Sequence, residues 1–111
     1  MSIKSKVMNS LSGLGVPVSY AFYSGEADTY ITFVDYLEVP KDYSDDESHS
    51  NGHSIQVDIW SNGDYTNLEH KVKEKMKVAG FIKTDARGLY DPKSGFYHKA
   101  IRYYYEEECK C

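Results

Sequence analysis

The sequence predicts an α+β domain: a mostly antiparallel sheet of about five strands with two helices on one face, in the order α-β-β-β-α-β-β. Three observations lead there. Two segments place apolar residues at helical spacing, and the second of them runs up to Gly80. Five other segments alternate apolar and polar residues between clusters of turn formers, the pattern of half-buried strands. The links between strands are rich in Gly, Ser and Asp and read as hairpins, so the second helix alone provides a crossover. The chain has 111 residues, which fits one domain, and folding a chain of that size removes about two-thirds of its surface from water. A single domain over 1–106 is expected, with a flexible C-terminal tail over 107–111.

In the first helix Ile3, Val7, Met8 and Leu11 share a face, Ser2 can cap the start, and Gly13, Gly15 and Pro17 stop it. Residues 18–23 follow as a strand and Ser24-Gly25-Glu26 as a turn. Residues 30–39 make a stronger strand, with Ile31, Phe33, Leu37 and Val39 expected on one face and Asp35 the one charge among them. Pro40 ends it, because proline cannot donate to a ladder. Residues 41–52 have no hydrophobic period and read as an acidic, serine-rich loop. The strand over 53–61 points Ile55, Val57 and Ile59 inward and Gln56, Asp58 and Trp60 outward. The main helix covers 64–79, with Tyr65, Leu68, Val72, Met76 and Ala79 in a narrow arc. Asp64 or Thr66 can cap it, Thr66-x-x-Glu69 matches a capping box, and Gly80 suits the left-handed position after the last turn. Residues 81–84 and 96–106 complete the sheet. Gly88, Pro92 and Gly95 make 85–95 read as a long hairpin connection. Leu68, Val72 and Met76 should pack on Ile55, Val57, Ile59 and Ile101.

A net charge of −4 argues against a general binder of nucleic acid or anionic membrane, since both need basic surface to displace counterions. No apolar run approaches the roughly 18 residues of a membrane span. The basic start at 1–6 is followed by Asn9, Ser10, Ser12 and Gly13 rather than by the apolar core of a signal peptide. A soluble, intracellular setting is therefore expected. The charge is uneven: residues 26–47 hold eight acids against Lys41 alone, while the remainder carries nine acids and twelve bases. An acidic run (Asp42, Asp45, Asp46 and Glu47) on a slightly basic body suits head-to-tail self-association. The plainer alternative is a solvated loop that keeps the protein soluble. Tyrosine is the unusual feature, at eleven residues that include Tyr103-Tyr104-Tyr105. On a strand, Tyr103 and Tyr105 share a face with Ile101. Rings that bury area while their polar tips tolerate water suit interfaces. Trp60, Tyr103 and Tyr105 thus join the four acids as candidate subunit or partner contacts.

No catalytic residue, cofactor or metal is expected. Gly13-Leu14-Gly15 follows a helix and lacks the third glycine of a dinucleotide fingerprint. His49, His53, Cys109 and Cys111 are enough donors for zinc, but their spacing matches no zinc module. A disulfide between residues two apart is strained, so Cys109 and Cys111 are expected to be reduced. Paired acid–base catalysis needs carboxylates whose environments push their pKa values apart, whereas a run of acids in a polar loop shares one environment. Lys71, Lys73, Lys75 and Lys77 lie among Glu69 and Glu74 and read as a solvated helix face, not a DNA-binding ridge.

The stretch Ile55-Gln-Val-Asp-Ile-Trp-Ser-Asn-Gly-Asp-Tyr65, followed by a helix closing at Val78-Ala-Gly-Phe81, resembles the tail terminator (tail-completion) proteins of long-tailed bacteriophages. In that family an N-terminal helix leads into a hairpin, a strand ending in Trp-Ser runs into the main helix, and a final hairpin closes the sheet. The resemblance covers about residues 1–106 and leaves out the acidic loop and the Cys-Lys-Cys ending. It implies a non-enzymatic structural protein that forms a homo-oligomeric ring, typically a hexamer, at the head-proximal end of the tail tube. There such a ring stops tube polymerisation and docks to the head connector or stopper protein. The implied setting is the virion, with the host cytoplasm during assembly. Two other classes fit the composition: a small dimeric regulatory or ligand-binding domain, and an acidic mimic of nucleic acid.

Overall fold

The computed structural model describes residues 2–40 and 50–108. Seven elements follow in the expected order: α1 (Ile3–Leu11), β1 (Val18–Tyr20), β2 (Thr29–Pro40), β3 (Ser50–Ser61), α2 (Thr66–Val78), β4 (Ile82–Asp91) and β5 (Phe96–Glu108). The strands form one sheet in the order β1-β2-β3-β5-β4. All pairs are antiparallel except β1 with β2. Both helices lie on one face, and α2 carries the chain from β3 over β5 to the far edge.

Local chemistry sets the element ends. Ser2 caps α1 by accepting from the Ser5 N–H at 3.1 Å. At the end of α2 the Phe81 N–H donates to the Met76 carbonyl and the Gly80 N–H to the Lys77 carbonyl, both at 3.0 Å. That pair of bonds is a Schellman motif, and Gly80 supplies its left-handed residue at φ +97°. The start of α2 differs from expectation. Tyr65 occupies the cap position, and Asp64 accepts from the Thr66 N–H and hydroxyl at 2.9 and 2.7 Å. The capping box between Thr66 and Glu69 does not form, because Thr66 is already the first residue of α2 rather than its cap; Glu69 pairs with Lys73 at 2.6 Å and Lys99 at 3.7 Å.

Three strand expectations need correction. The first strand stops at Tyr20 rather than 23, because the Phe22 N–H bonds back to the Tyr20 carbonyl around Ala21 at φ +72°, a tight reversal. The chain then returns and β2 runs parallel to β1, so this link is not a hairpin. Tyr23 holds the return: its hydroxyl accepts from the Ala27 N–H at 3.2 Å and its ring stacks on Tyr30. A side chain at Gly25 would collide with that hydroxyl. Second, β2 carries a bulge between Asp35 and Leu37, which places Leu37 opposite Ser54 and Val39 opposite Gly52. Those two positions therefore leave the register of Ile31 and Phe33. Third, β4 continues past Thr84 to Asp91, so the supposed long connection is mostly strand. A bulge between Lys83 and Asp85 absorbs the break in alternation. The turn is short: Gly95 donates to the Asp91 carbonyl at 2.8 Å, and the Asp91 side chain accepts from the Lys93 N–H and the Ser94 hydroxyl.

The core lies between the sheet and the helices. Val7 and Leu11 of α1 and Val72 and Met76 of α2 close over Ile31, Phe33, Ile55, Val57, Ile59, Ile101 and Tyr103. Leu68 is half-buried at its margin. The strands outrun this layer, and the molecule measures 50 × 26 × 24 Å.

Candidate functional site

Alternate residues of the same strands build the other sheet face, which neither helix covers. Register brings Tyr30, Trp60, His98 and Leu89 side by side across β2, β3, β5 and β4. The Trp60 ring stacks on His98 at 3.9 Å and 6°, and more loosely on Tyr30 at 6.0 Å and 15°. Its indole N–H donates to the Thr32 hydroxyl at 3.1 Å. Burial, with Tyr23 second, pushes the Tyr30 phenol pKa up. Next along the strands, Asp58 is nearly buried (8% exposed) although it belongs to this face. It lies 2.7 Å from His98 Nε2 and accepts from the Gln56 amide at 3.0 and 3.3 Å. Arg102 donates to Gln56 Oε1 at 3.3 Å, and its guanidinium lies over the Tyr36 ring. A carboxylate shielded from water in this way needs such partners. Together they hold the face as a fixed aromatic and polar surface.

The two candidate tyrosines belong to the opposite side. Tyr103 is 2% exposed and packs edge-on to Phe81 in the core, with no hydrogen-bond partner for its hydroxyl among the described residues. Burial, and secondarily the charge of Glu69, pushes its pKa up to about 12. Tyr105 is half-buried against Phe81 at 4.8 Å, with the Lys6 ammonium over its ring at 5.1 Å. Glu69 goes the other way: burial opposes its charge, but the hydrogen bond and charge of Lys73, with Lys99 and His70, outweigh that and hold its pKa below the usual carboxylate value. Asp35, the odd charge of β2, lies 3.5 Å from buried His53 on this side of the sheet.

The structure thus separates Trp60 from Tyr103 and Tyr105 by the thickness of the sheet. Asp42, Asp45, Asp46 and Glu47 lie outside the described residues, as do His49, Cys109 and Cys111. Register adds acids that the sequence reading missed. β5 runs on to Glu108, and Glu106, Glu107 and Glu108 stand opposite Gly52, Asn51 and Ser50, at the end of the sheet where β2 and β3 are joined. Asp58 with His98 and Gln56 was also missed. Its signal was an acid between Gln56 and Trp60 on the outward side of an apolar strand, but the partner on β5 is forty residues away in the chain.

No family model and no curated protein matches this sequence. A solved structure does. The chain is similar to one in the virion of a native gene transfer agent (GTA) particle. The TM-score is 0.68, over 96% of this chain and 95% of that one, at 16% sequence identity. The likeness is one of fold, and it runs from end to end of both chains.

Among the described residues no three His, Cys, Asp or Glu side chains gather as metal ligands would, and no helix is long and apolar enough to cross a membrane. The features the described residues present are stacked rings, a shielded carboxylate, and an edge strand β4 exposing Ile82, Leu89 and Tyr90. The Tyr103 phenol makes a measurable expectation. Its folded pKa lies above the unfolded value of about 10, so between roughly pH 10 and pH 12 the unfolded chain alone releases this proton. Stability from this group is present below that window and is lost as pH rises through it. Urea unfolding at about pH 9 and about pH 11 should show the loss, and Tyr103→Phe should show a smaller one.

Proposed function

We propose that this chain is a structural virion-assembly protein of the tail terminator kind. Six copies form a ring on the head-proximal end of a tail tube, end its growth, and offer the surface to which a head connector or stopper protein docks. Its partners are further copies of itself, the tail tube protein and that head-side protein. It acts without catalysis or cofactor, assembles in the host cytoplasm and ends in the virion. It needs no membrane and no particular nucleic-acid sequence. The observation that carries this reading is the fold match to a chain of the gene transfer agent virion, with 96% and 95% of the two chains covered. The strand–Trp-Ser–helix–Gly-Phe block supports it independently, and it maps onto β3, α2 and the Schellman turn at Gly80. The uncovered sheet face with its Tyr30–Trp60–His98 stack offers a pre-ordered aromatic surface of the sort that assembly contacts use.

The acidic residues provide the test. Changing Asp45 and Asp46 to asparagine and Glu47 to glutamine should leave the melting curve of the isolated subunit nearly unchanged. Ring formation or docking to purified tail tubes should change, and more at low salt than at high salt, since screening weakens charge contacts. Sedimentation with and without tubes reads both. Wild-type behaviour of the triple variant at every ionic strength would reduce the acidic run to a solubilising loop, and a wild-type chain that never engages tube ends would overturn the tail reading.

A further inference from the structure

Phe22 is 73% exposed, an aromatic side chain that its own subunit leaves in water. The backbone before it is strained. The Phe22 N–H donates to the Tyr20 carbonyl at 2.8 Å around Ala21 at φ +72°, a γ-turn of the rare kind that favours glycine. Such strain persists only where the surroundings enforce it, and it gathers at functional sites. The turn begins the return from β1 to β2. Tyr23 stacks on Tyr30, a residue of the uncovered face, and Glu26 and Asp28 of the same return are exposed. An exposed aromatic side chain followed by two acids thus marks the β1 end of the sheet.

The β4 end has a dent that suits it. Ala100 of β5 gives the uncovered face only a methyl group, between the longer side chains of the flanking rungs, where Leu89 pairs with His98 and Asp85 with Arg102. The space left is about 170 Å³, walled by Leu89, Ala100 and His98 and rimmed by Asp85, Arg87 and Arg102. A cavity of about 150 Å³ takes a benzene ring. Arginine stems pack on apolar surface, and their guanidinium groups favour the face of an aromatic ring. Arg102 is held by Gln56 and Tyr36, whereas Arg87 has no hydrogen bond or ion pair among the described residues.

We propose that this dent receives Phe22 of a second copy of the chain, with Glu26 and Asp28 beside Arg87 and Arg102. Distance rules out the chain's own Phe22, since β1 and β4 are four strand spacings apart, about 19 Å. Position favours a neighbour set edge to edge. The Ala21 N–H bonds the Phe33 carbonyl, and the dent lies on the rungs of Thr32 and Val34, which flank Phe33 along the strands. Charge acts in the same sense, as two acids meet a rim of two cations and Asp85. A knob at one edge and a dent at the other make a heterologous contact, which repeats around an axis and closes when the rotation permits. The inference rests on the ring reading and says how neighbours are joined.

Two single variants of the full chain test it, Phe22→Ala and Leu89→Asp, both at exposed positions of the subunit. At dilutions where the parent is monomeric, each should melt within about 2–4 °C of it, as surface changes do. Should Leu89→Asp fall outside that range, Arg87→Glu takes its place. In sedimentation velocity each variant should self-associate roughly tenfold or more weakly, as the loss of one buried aromatic anchor implies. An equimolar mixture should then give one-to-one pairs and nothing larger. The intact Phe22 of the Leu89→Asp chain fits the intact dent of the Phe22→Ala chain, and no second matching contact remains to extend the pair. Absence of these pairs, or parental assembly by either variant alone, would overturn the proposal and leave the ring reading standing. A parent that stays monomeric at every concentration, alone and with tail tubes, would sink the ring reading and this inference with it. Assembly that obeys both substitutions yet ignores tail tubes would sink the tail reading and leave this inference standing.

Discussion

Phe33→Ala should cost about 3–5 kcal/mol of unfolding free energy, the range for truncating a large aromatic in a closed core. Phe33 is 1% exposed and lies where β1, β2 and β3 meet. Its ring takes the edge of Tyr20 at 5.3 Å and 81°, and its carbonyl accepts from the Ala21 N–H at the point where the chain reverses. Small domains have only about 5–15 kcal/mol in total, so this single change should remove much of the margin and lower the melting temperature by more than about 10 °C. Thermal melts read by circular dichroism would show it. A shift of a degree or two would mean that β1 does not close this end of the core as described.

Met76→Ala should cost about 2–5 kcal/mol and Leu68→Ala clearly less, about 1–2 kcal/mol, although the two residues share one helical stripe. Met76 is wholly buried beneath the Schellman turn, where its carbonyl also receives the Phe81 N–H. Leu68, two turns earlier, lies at the core margin. Truncation there leaves a notch that water and neighbouring side chains can fill. Parallel urea titrations of the two variants give the comparison directly. Equal losses would mean that the N-terminal half of α2 is pressed onto the sheet as tightly as its end.

The helices and three central strands were legible because their apolar residues repeat with the period of the element that buries them. Val72 and Met76 lie over Ile55, Val57, Ile59 and Ile101, as spacing alone implied. Local turn chemistry was legible too: Gly80 announced its left-handed turn, and Ser2 its cap. Where the reading slipped, the deciding force came from a partner distant in sequence. β4 lacks hydrophobic alternation because it is an edge strand exposed along most of its length, and only its ladder with β5 holds it as a strand. The parallel course of β1 depends on a backbone reversal at an alanine, a residue that carries no turn signal. The bulge in β2 is a one-residue slip that only pairing with β3 defines.

The candidate contact residues divide along the same line. That Trp60 points away from the core followed from the parity of β3, and that Tyr103 shares a face with Ile101 followed from the parity of β5. Placing Ile101 beneath α2 already put Tyr103 on the covered side, where it is 2% exposed; what did not follow is the cross-strand register that leaves Trp60 stacked on His98. Sequence by itself determined the class of fold, the order of its elements, the core stripe of α2 and the polarity of charge, because each is written in residues close together in the chain. Tertiary structure alone decided the shielded Asp58–His98 pair, the gathering of Glu106–Glu108 beside the join of β2 and β3, and the dent over Ala100. These depend on cross-strand register, which arises from packing among residues that the chain keeps far apart.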